Sequence, residues 1–178
     1  MALDHFMEEI VVKRRRVFQD LVYYLANITM VMTALLGFMG LSNLMMAFSV
    51  EGLIMSGIMV GIAVYLFLRK DRIRTEYEYT FTNGELDFAQ VFNNKKRKSL
   101  GTMRVKNVEA FGPVNSDGFR KLVNMPGLVR KNWFLNRDAE LHYFYYQKEG
   151  KKTMIILEPS QEMVTMIKKY VPQAGFRA

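Results

Sequence analysis

No cysteine occurs in the 178 residues, which excludes disulfides, thiolate nucleophiles and cysteine metal ligands together. Histidine is nearly absent: His5 and His142 are the only imidazoles, and His142, in an aromatic strand, reads as structural. There is no His-Glu-x-x-His run, no cluster of acids and no Gly-rich phosphate loop. Glu76 and Glu78, near the "NGELD" turn, read as hairpin residues and not as a carboxylate pair for acid-base work. These absences argue against an enzyme, a metal and a cofactor.

A second absence is regional. Between Arg16 and Arg69 the chain has no Lys or Arg, although it carries 25 in all. The only acids in that gap are Asp20 and Glu51. Charge exclusion on this scale is the composition of two membrane spans with a short connection. The first span is expected over residues 21–41, where 21 helical residues rise ~32 Å against a hydrocarbon core of ~30 Å. The second is expected over about 47–68. Lys13, Arg14, Arg15 and Arg16 precede the first; Arg69, Lys70, Arg72 and Arg74 follow the second. The connecting loop has no cation, so the positive-inside rule makes the protein multi-pass in the cell membrane, with both termini cytoplasmic.

Within the spans, Gly57 and Gly61 form a small-xxx-small pair that lets helices approach closely. Packing against Gly37 or Gly40 of the first span is the leading reading, and a homo-oligomer seam the other. Asn27, Thr29 and Thr33 are expected to hydrogen-bond within or between the helices. The stretch "LDHFMEEIVVKRRRVFQD" places Leu3, Phe6, Met7, Ile10, Val11, Val17 and Phe18 at helical spacing. Residues 1–20 therefore read as an interfacial or cytoplasmic helix, with residues 21–73 forming the transmembrane hairpin.

From Arg74 the period changes to two. Tyr77, Tyr79 and Phe81 share one strand face; Asn83-Gly84 signals a hairpin; residues 85–92 return. A basic tip, Lys95, Lys96, Arg97 and Lys98, reads as a turn. Residues 115–138 show little clean periodicity. Strands at 140–147 and 152–158 precede a helix that starts near Pro159 and Ser160, with Met163, Val164, Met166, Ile167, Tyr170 and Val171 on its apolar face. Residues 74–178 thus form one cytoplasmic domain.

The phrases "YEYTFTNGELDFAQVFNNKKRK", "VEAFGPV" and "MIILEPSQEMVTMIKKY" resemble an uncharacterised family of Gram-positive bacterial membrane proteins, a domain of unknown function with two transmembrane helices plus a PH-like domain. Meandering strands closed by one amphipathic helix look like the PH-like split barrel. The resemblance covers nearly the whole chain. It implies an α+β membrane protein, a two-helix transmembrane hairpin followed by an antiparallel PH-like β-barrel or sheet with a C-terminal helix. It carries no activity, substrate or catalytic residue.

The net charge of +8 and the pI of about 9.7 favour anionic partners. Candidate contacts are Lys95, Lys96, Arg97, Lys98, Arg130, Lys131 and Trp133. No nucleic-acid recognition signature accompanies them, so the polyanion expected is the inner leaflet. The sequence therefore points to a membrane-anchored binding or scaffold protein whose PH-like domain takes anionic lipid headgroups or a membrane protein partner. The other reading is an oligomeric transport or channel accessory subunit acting through its helices.

Overall fold

The computed structural model describes residues 5–172, which gather into two compact units. One holds Arg15–Thr75 and Phe92–Lys95; the other holds the chain up to Arg14, Glu76–Val91 and the chain from Lys96.

The first unit is built on α1 (Val17–Leu44) and α2 (Val50–Arg69). Both are long and apolar enough to cross a membrane. A soluble core helix of that composition would be mostly buried, but here the most apolar windows are only 11% and 6% buried. Ser49 starts α2, its Oγ accepting from Gly52 N at 3.1 Å, which satisfies one of the orphan donors of a helix start. The two helices meet over small residues. A Cβ on Gly37 would lie 2.8 Å from Val60 Cγ2, and one on Gly40 would run into Ser56 Oγ. Thr33 and Ser56 are buried and return their hydroxyls to Thr29 O and Gly52 O at 2.8 and 2.7 Å. Gly57 and Gly61 are not part of this contact: a Cβ on either would meet nothing within 4 Å. The expected pairing of Gly57 and Gly61 with the first span is therefore corrected, because Ser56, Val60 and Ala63 hold the inward stripe of α2.

A polar collar closes the charged end of this unit. Arg74 pairs with Asp20 at 2.8 Å, and its guanidinium stands 4.1 Å from the Tyr23 ring centroid and 5.4 Å from that of Tyr24. Lys70 Nζ donates to Asn27 Oδ1 at 2.5 Å. Asn93 Nδ2 donates to Tyr23 Oη at 3.1 Å and to Asp71 Oδ1 at 2.9 Å. Asn27 is thus structural, as expected.

The second unit contains two four-stranded sheets. The first has the order β1–β2–β3–β4: β1 (Phe6–Val11), β2 (Thr75–Thr82), β3 (Glu85–Phe92) and β4 (Lys96–Arg104). The second is built from β5 (Ala110–Pro113), β6 (Val129–Trp133), β7 (His142–Lys148) and β8 (Lys151–Leu157), in the order β5–β7–β8–β6. Asn83 and Gly84 both have positive φ at the β2–β3 turn, the backbone that a tight hairpin demands. Two helices join the sheets, α3 (Asp117–Val123) and α4 (Gln161–Lys168). Ser160 caps α4, its Oγ accepting from Met163 N at 3.2 Å.

Tyr79, Phe81, Leu86 and Phe88 of the first sheet pack with Phe111, Phe144, Ile155 and Leu157 of the second, and with Met163, Val164 and Ile167 of α4. The alternate residues of the second sheet, Tyr143, Tyr145, Met154 and Ile156, form a separate cluster with Leu122 and Phe119 of α3. Burial on both faces explains why β7 and β8 read as nearly continuous apolar runs.

Two expectations need correction, and one segment without clean periodicity acquires its elements. Residues 6–11 form a strand, not an interfacial helix. Their exposure alternates with period two, and Phe6–Val11 lies antiparallel on β2, Val11 opposite Tyr77 and Phe6 opposite Thr82. A few apolar residues fit either period; the open backbone edge of β2 decides, since its N–H and C=O groups need partners. The sheet domain therefore begins before the helices, not at residue 74. The basic tip is a turn only through Lys95: Asn93 and Asn94 have positive φ, and Lys96 already begins β4. Finally, residues 115–138 hold α3 and β6, and β6 pairs parallel with β8.

Val11 is buried in the main core. An aspartate there carries an unpaired charge into apolar surroundings, so Val11→Asp should cost about 3 kcal/mol or more. Urea unfolding of the full chain in maltoside micelles, followed by near-ultraviolet circular dichroism, measures this. An unchanged midpoint would show that β1 is not an integral strand.

Candidate functional site

The residues singled out for an anionic surface fall into distinct settings. Lys95 N donates to Phe92 O at 3.0 Å, closing the β3–β4 turn. Lys96, Arg97 and Lys98 follow on β4, the edge strand of the first sheet, and all three are exposed. Arg97 is committed elsewhere: its Nη2 lies 2.5 Å from Glu78 Oε2, and the Glu78 side chain is only 5% exposed. A carboxylate that deep needs its counter-charge, because an unpaired buried ion is costly. Arg97 therefore reads as a structural partner. Lys96 and Lys98 have no ion-pair partner among the described residues.

On the other sheet, Arg130 is exposed on the edge strand β6, and Lys131 is half-buried. Lys131 Nζ stands 5.3 Å from the Trp133 ring centroid. Residues two apart on a strand share a face, so this stacking follows from the sequence. Trp133 is itself 9% exposed and packs at 4.7 Å on Phe88. It belongs to the core and is not placed to insert into a bilayer.

Lys131 and Trp133 line a cleft of about 420 Å³ between β4 and the β6–β8–β7 side of the second sheet. Phe88, Leu100, Met103, Tyr146 and Ile155 supply further apolar wall; Thr102, Arg104, Asn107, Gln147 and Lys148 supply the polar lining. No carboxylate lines it. Arg104 Nε donates to Glu85 Oε1 at 2.7 Å, so Lys131 and Lys148 carry the unneutralised charge. Sequence reasoning found Lys131 and Trp133 but missed Arg104, Asn107 and Lys148. They are scattered over 45 residues with no local motif, and only the opposition of the two sheets brings them to one opening.

A polar knot lies inside the domain. Glu158 accepts from Leu135 N, Asn136 N and Asn136 Nδ2 at 3.3, 3.0 and 2.8 Å. Asn136 also donates to Val12 O at 3.0 Å and accepts from Arg14 N at 2.9 Å. Tyr79 Oη donates to Trp133 O and accepts from Glu158 N at 3.3 Å. Burial pushes the Tyr79 phenol far above its ordinary range, so it remains a neutral donor. The knot fastens strands, and Glu158, Asn136 and Arg14 also line a second cavity of about 420 Å³. Among the described residues, no three His, Asp or Glu side chains gather as metal ligands.

His142 is buried and stacks on Phe111, with ring centroids 5.5 Å apart. Its Nδ1 has no hydrogen-bond partner among the described residues. Burial holds its pKa below the ordinary value, against the opposing pull of the Glu140 backbone and carboxylate.

A family model described as a bacterial PH-like domain (DUF6106) matches residues 3–177. No curated protein matches the chain, and no solved structure does.

Because the folded pKa of His142 is depressed, its contribution to stability is present above about pH 6.5 and is lost as pH falls through the folded value. Glu9, whose pKa burial raises, works in the opposite sense, so the comparison must be made between variants. Unfolding midpoints between about pH 7.5 and pH 5.5 should fall in the parent and fall less in His142→Phe, which keeps the stack on Phe111. Parallel curves would show that His142 does not resist protonation.

Proposed function

Since the chain belongs to the bacterial PH-like family, we propose that it is a membrane-anchored binding protein whose cytoplasmic domain contacts anionic lipid headgroups. PH-like domains are generally non-catalytic, and the domain offers a surface where an enzyme would need a reactive constellation. Uncovered apolar side chains along α1 and α2 support insertion of both helices. The β1–β2 pairing supports same-side termini: β1 precedes α1, β2 follows α2, and their residues pair directly. The cations flanking both helices then favour the cytoplasmic side.

The observation that carries the lipid reading is the placement of Lys96 and Lys98 on one sheet edge and Arg130 on another, all exposed. Lysines on edge strands also discourage edge-to-edge aggregation, and a solvated edge is what the lipid reading must beat. A membrane tether raises the effective concentration of the surface, so contacts worth ~1 kcal/mol per cation become populated.

A second reading rests on α2. Gly57 and Gly61 stand open, with nothing near their Cβ positions, which favours a homo-oligomer acting through the helices, as in a transport or channel accessory subunit. Discrete oligomers in detergent that dissociate on Gly57→Leu with Gly61→Leu support it; a monomeric parent discards it.

Topology is tested by single cysteines in a chain that has none. With an impermeant reagent on intact cells, Met46→Cys should react and Lys106→Cys should react only after lysis; labelling of Lys106→Cys in unbroken cells overturns the orientation. For lipid binding, residues 1–14 can be joined to residue 75 through a short Gly/Ser linker, because β1 and β2 already pair as a hairpin would. This soluble domain should sediment with phosphatidylglycerol liposomes and not with phosphatidylcholine ones. Lys96→Ser, Lys98→Ser and Arg130→Ser together should remove about 2 kcal/mol of binding, roughly thirtyfold. If the triple variant binds as the parent does, the edges are solvated and the occupant is a protein partner.

A further inference from the structure

We infer that the cleft between the two sheets is a separate binding site, for a small amphipathic anion: one phosphate or carboxylate group attached to an apolar, preferably aromatic, body. The lining divides accordingly. Phe88, Trp133 and Leu100 provide an apolar wall, while Lys131 and Lys148 bring positive charge to the same opening with no carboxylate among the lining residues. Each polar neighbour is a suitable partner for an anion's oxygens: Asn107 and Gln147 offer amide N–H groups and Thr102 a hydroxyl.

Size and shape select the occupant. About 420 Å³ lies within the range of small-molecule pockets and far below what a folded partner needs. Trp133 is too recessed to reach a membrane surface, so a ligand must come into the cleft to meet it. The wall also contains Gly101, at a φ of +136°, with nothing within 4 Å of its Cβ position. That backbone conformation is one that favours glycine, and it leaves this stretch of the wall without a side chain. Phe88 and Trp133 are buried and present only a small part of their rings at the floor of the cleft; an amphipathic anion would rest its apolar body there and meet both lysines at the opening.

The anion can come from a lipid headgroup or from a soluble metabolite; the recognising chemistry is the same. It is distinct from the edge contacts of Lys96, Lys98 and Arg130, and it stands if those fail.

Trp133 is the only tryptophan in the chain and lines the cleft, so its fluorescence reports on this site. The full chain in maltoside micelles is titrated with phenyl phosphate, with phenol and inorganic phosphate as separate controls, and in a parallel arm with phosphatidylglycerol or phosphatidylcholine mixed into the micelles. Phenyl phosphate should change Trp133 emission saturably, more tightly than either control. Lys131→Gln with Lys148→Gln should raise its Kd about tenfold while leaving the far-ultraviolet spectrum unchanged. A saturable response to phosphatidylglycerol alone identifies the source as a headgroup and equally supports the site. No saturable change with any anion, or equal affinity in the double variant, overturns it.

Discussion

The pairing of β1 with β2 sets the terms for everything else. Six residues at the start of the chain close one edge of the first sheet, and their partners stand beyond both long helices. Two consequences are immediate. The sheet domain is discontinuous, with α1 and α2 inserted between neighbouring strands. The chain that leaves β1 through those helices must also come back to pair with it at β2.

The polar knot around Glu158 secures the same junction from within. Asn136 follows β6 and Glu158 follows β8, while Val12 and Arg14 follow β1; hydrogen bonds among them tie the exits of three strands to one carboxylate. Such a network specifies one arrangement because each member's satisfaction depends on the others. Glu9 extends it, its Oε2 accepting from Ser160 N at 2.9 Å where α4 begins. The start of the chain is thereby linked to the helix that covers the core.

How much of this was legible varied with the range of the forces involved. The two long apolar helices were plain because the chain excludes Lys and Arg over 52 residues. The Asn83-Gly84 turn and the face of α4 were plain because both are local: a positive-φ pair and a period of 3.6. β1 was misread because Phe6, Met7, Ile10 and Val11 satisfy a helical spacing as well as an alternating one, and the deciding partner lies about 70 residues away. β6 was invisible for a similar reason: Val129–Trp133 has no periodic signature, and its parallel pairing with β8 comes from tertiary structure. Of the candidate site, the individual cations were visible but their settings were not. Nothing near Arg97 in sequence announces the buried Glu78 nineteen residues before it.

The register of β1 on β2 also has a temporal meaning. Phe6 meets Thr82 and Val11 meets Tyr77, so β1 must wait for roughly 70 further residues before its partner exists. At a synthesis rate of about 5–20 residues per second, that interval is on the order of 4–14 s. Throughout it, an alternating apolar segment stands without its partner while both helices are synthesised. The charges bracketing it, Glu8 and Glu9 within the strand and Lys13–Arg16 just after, are well suited to keeping it soluble until β2 emerges.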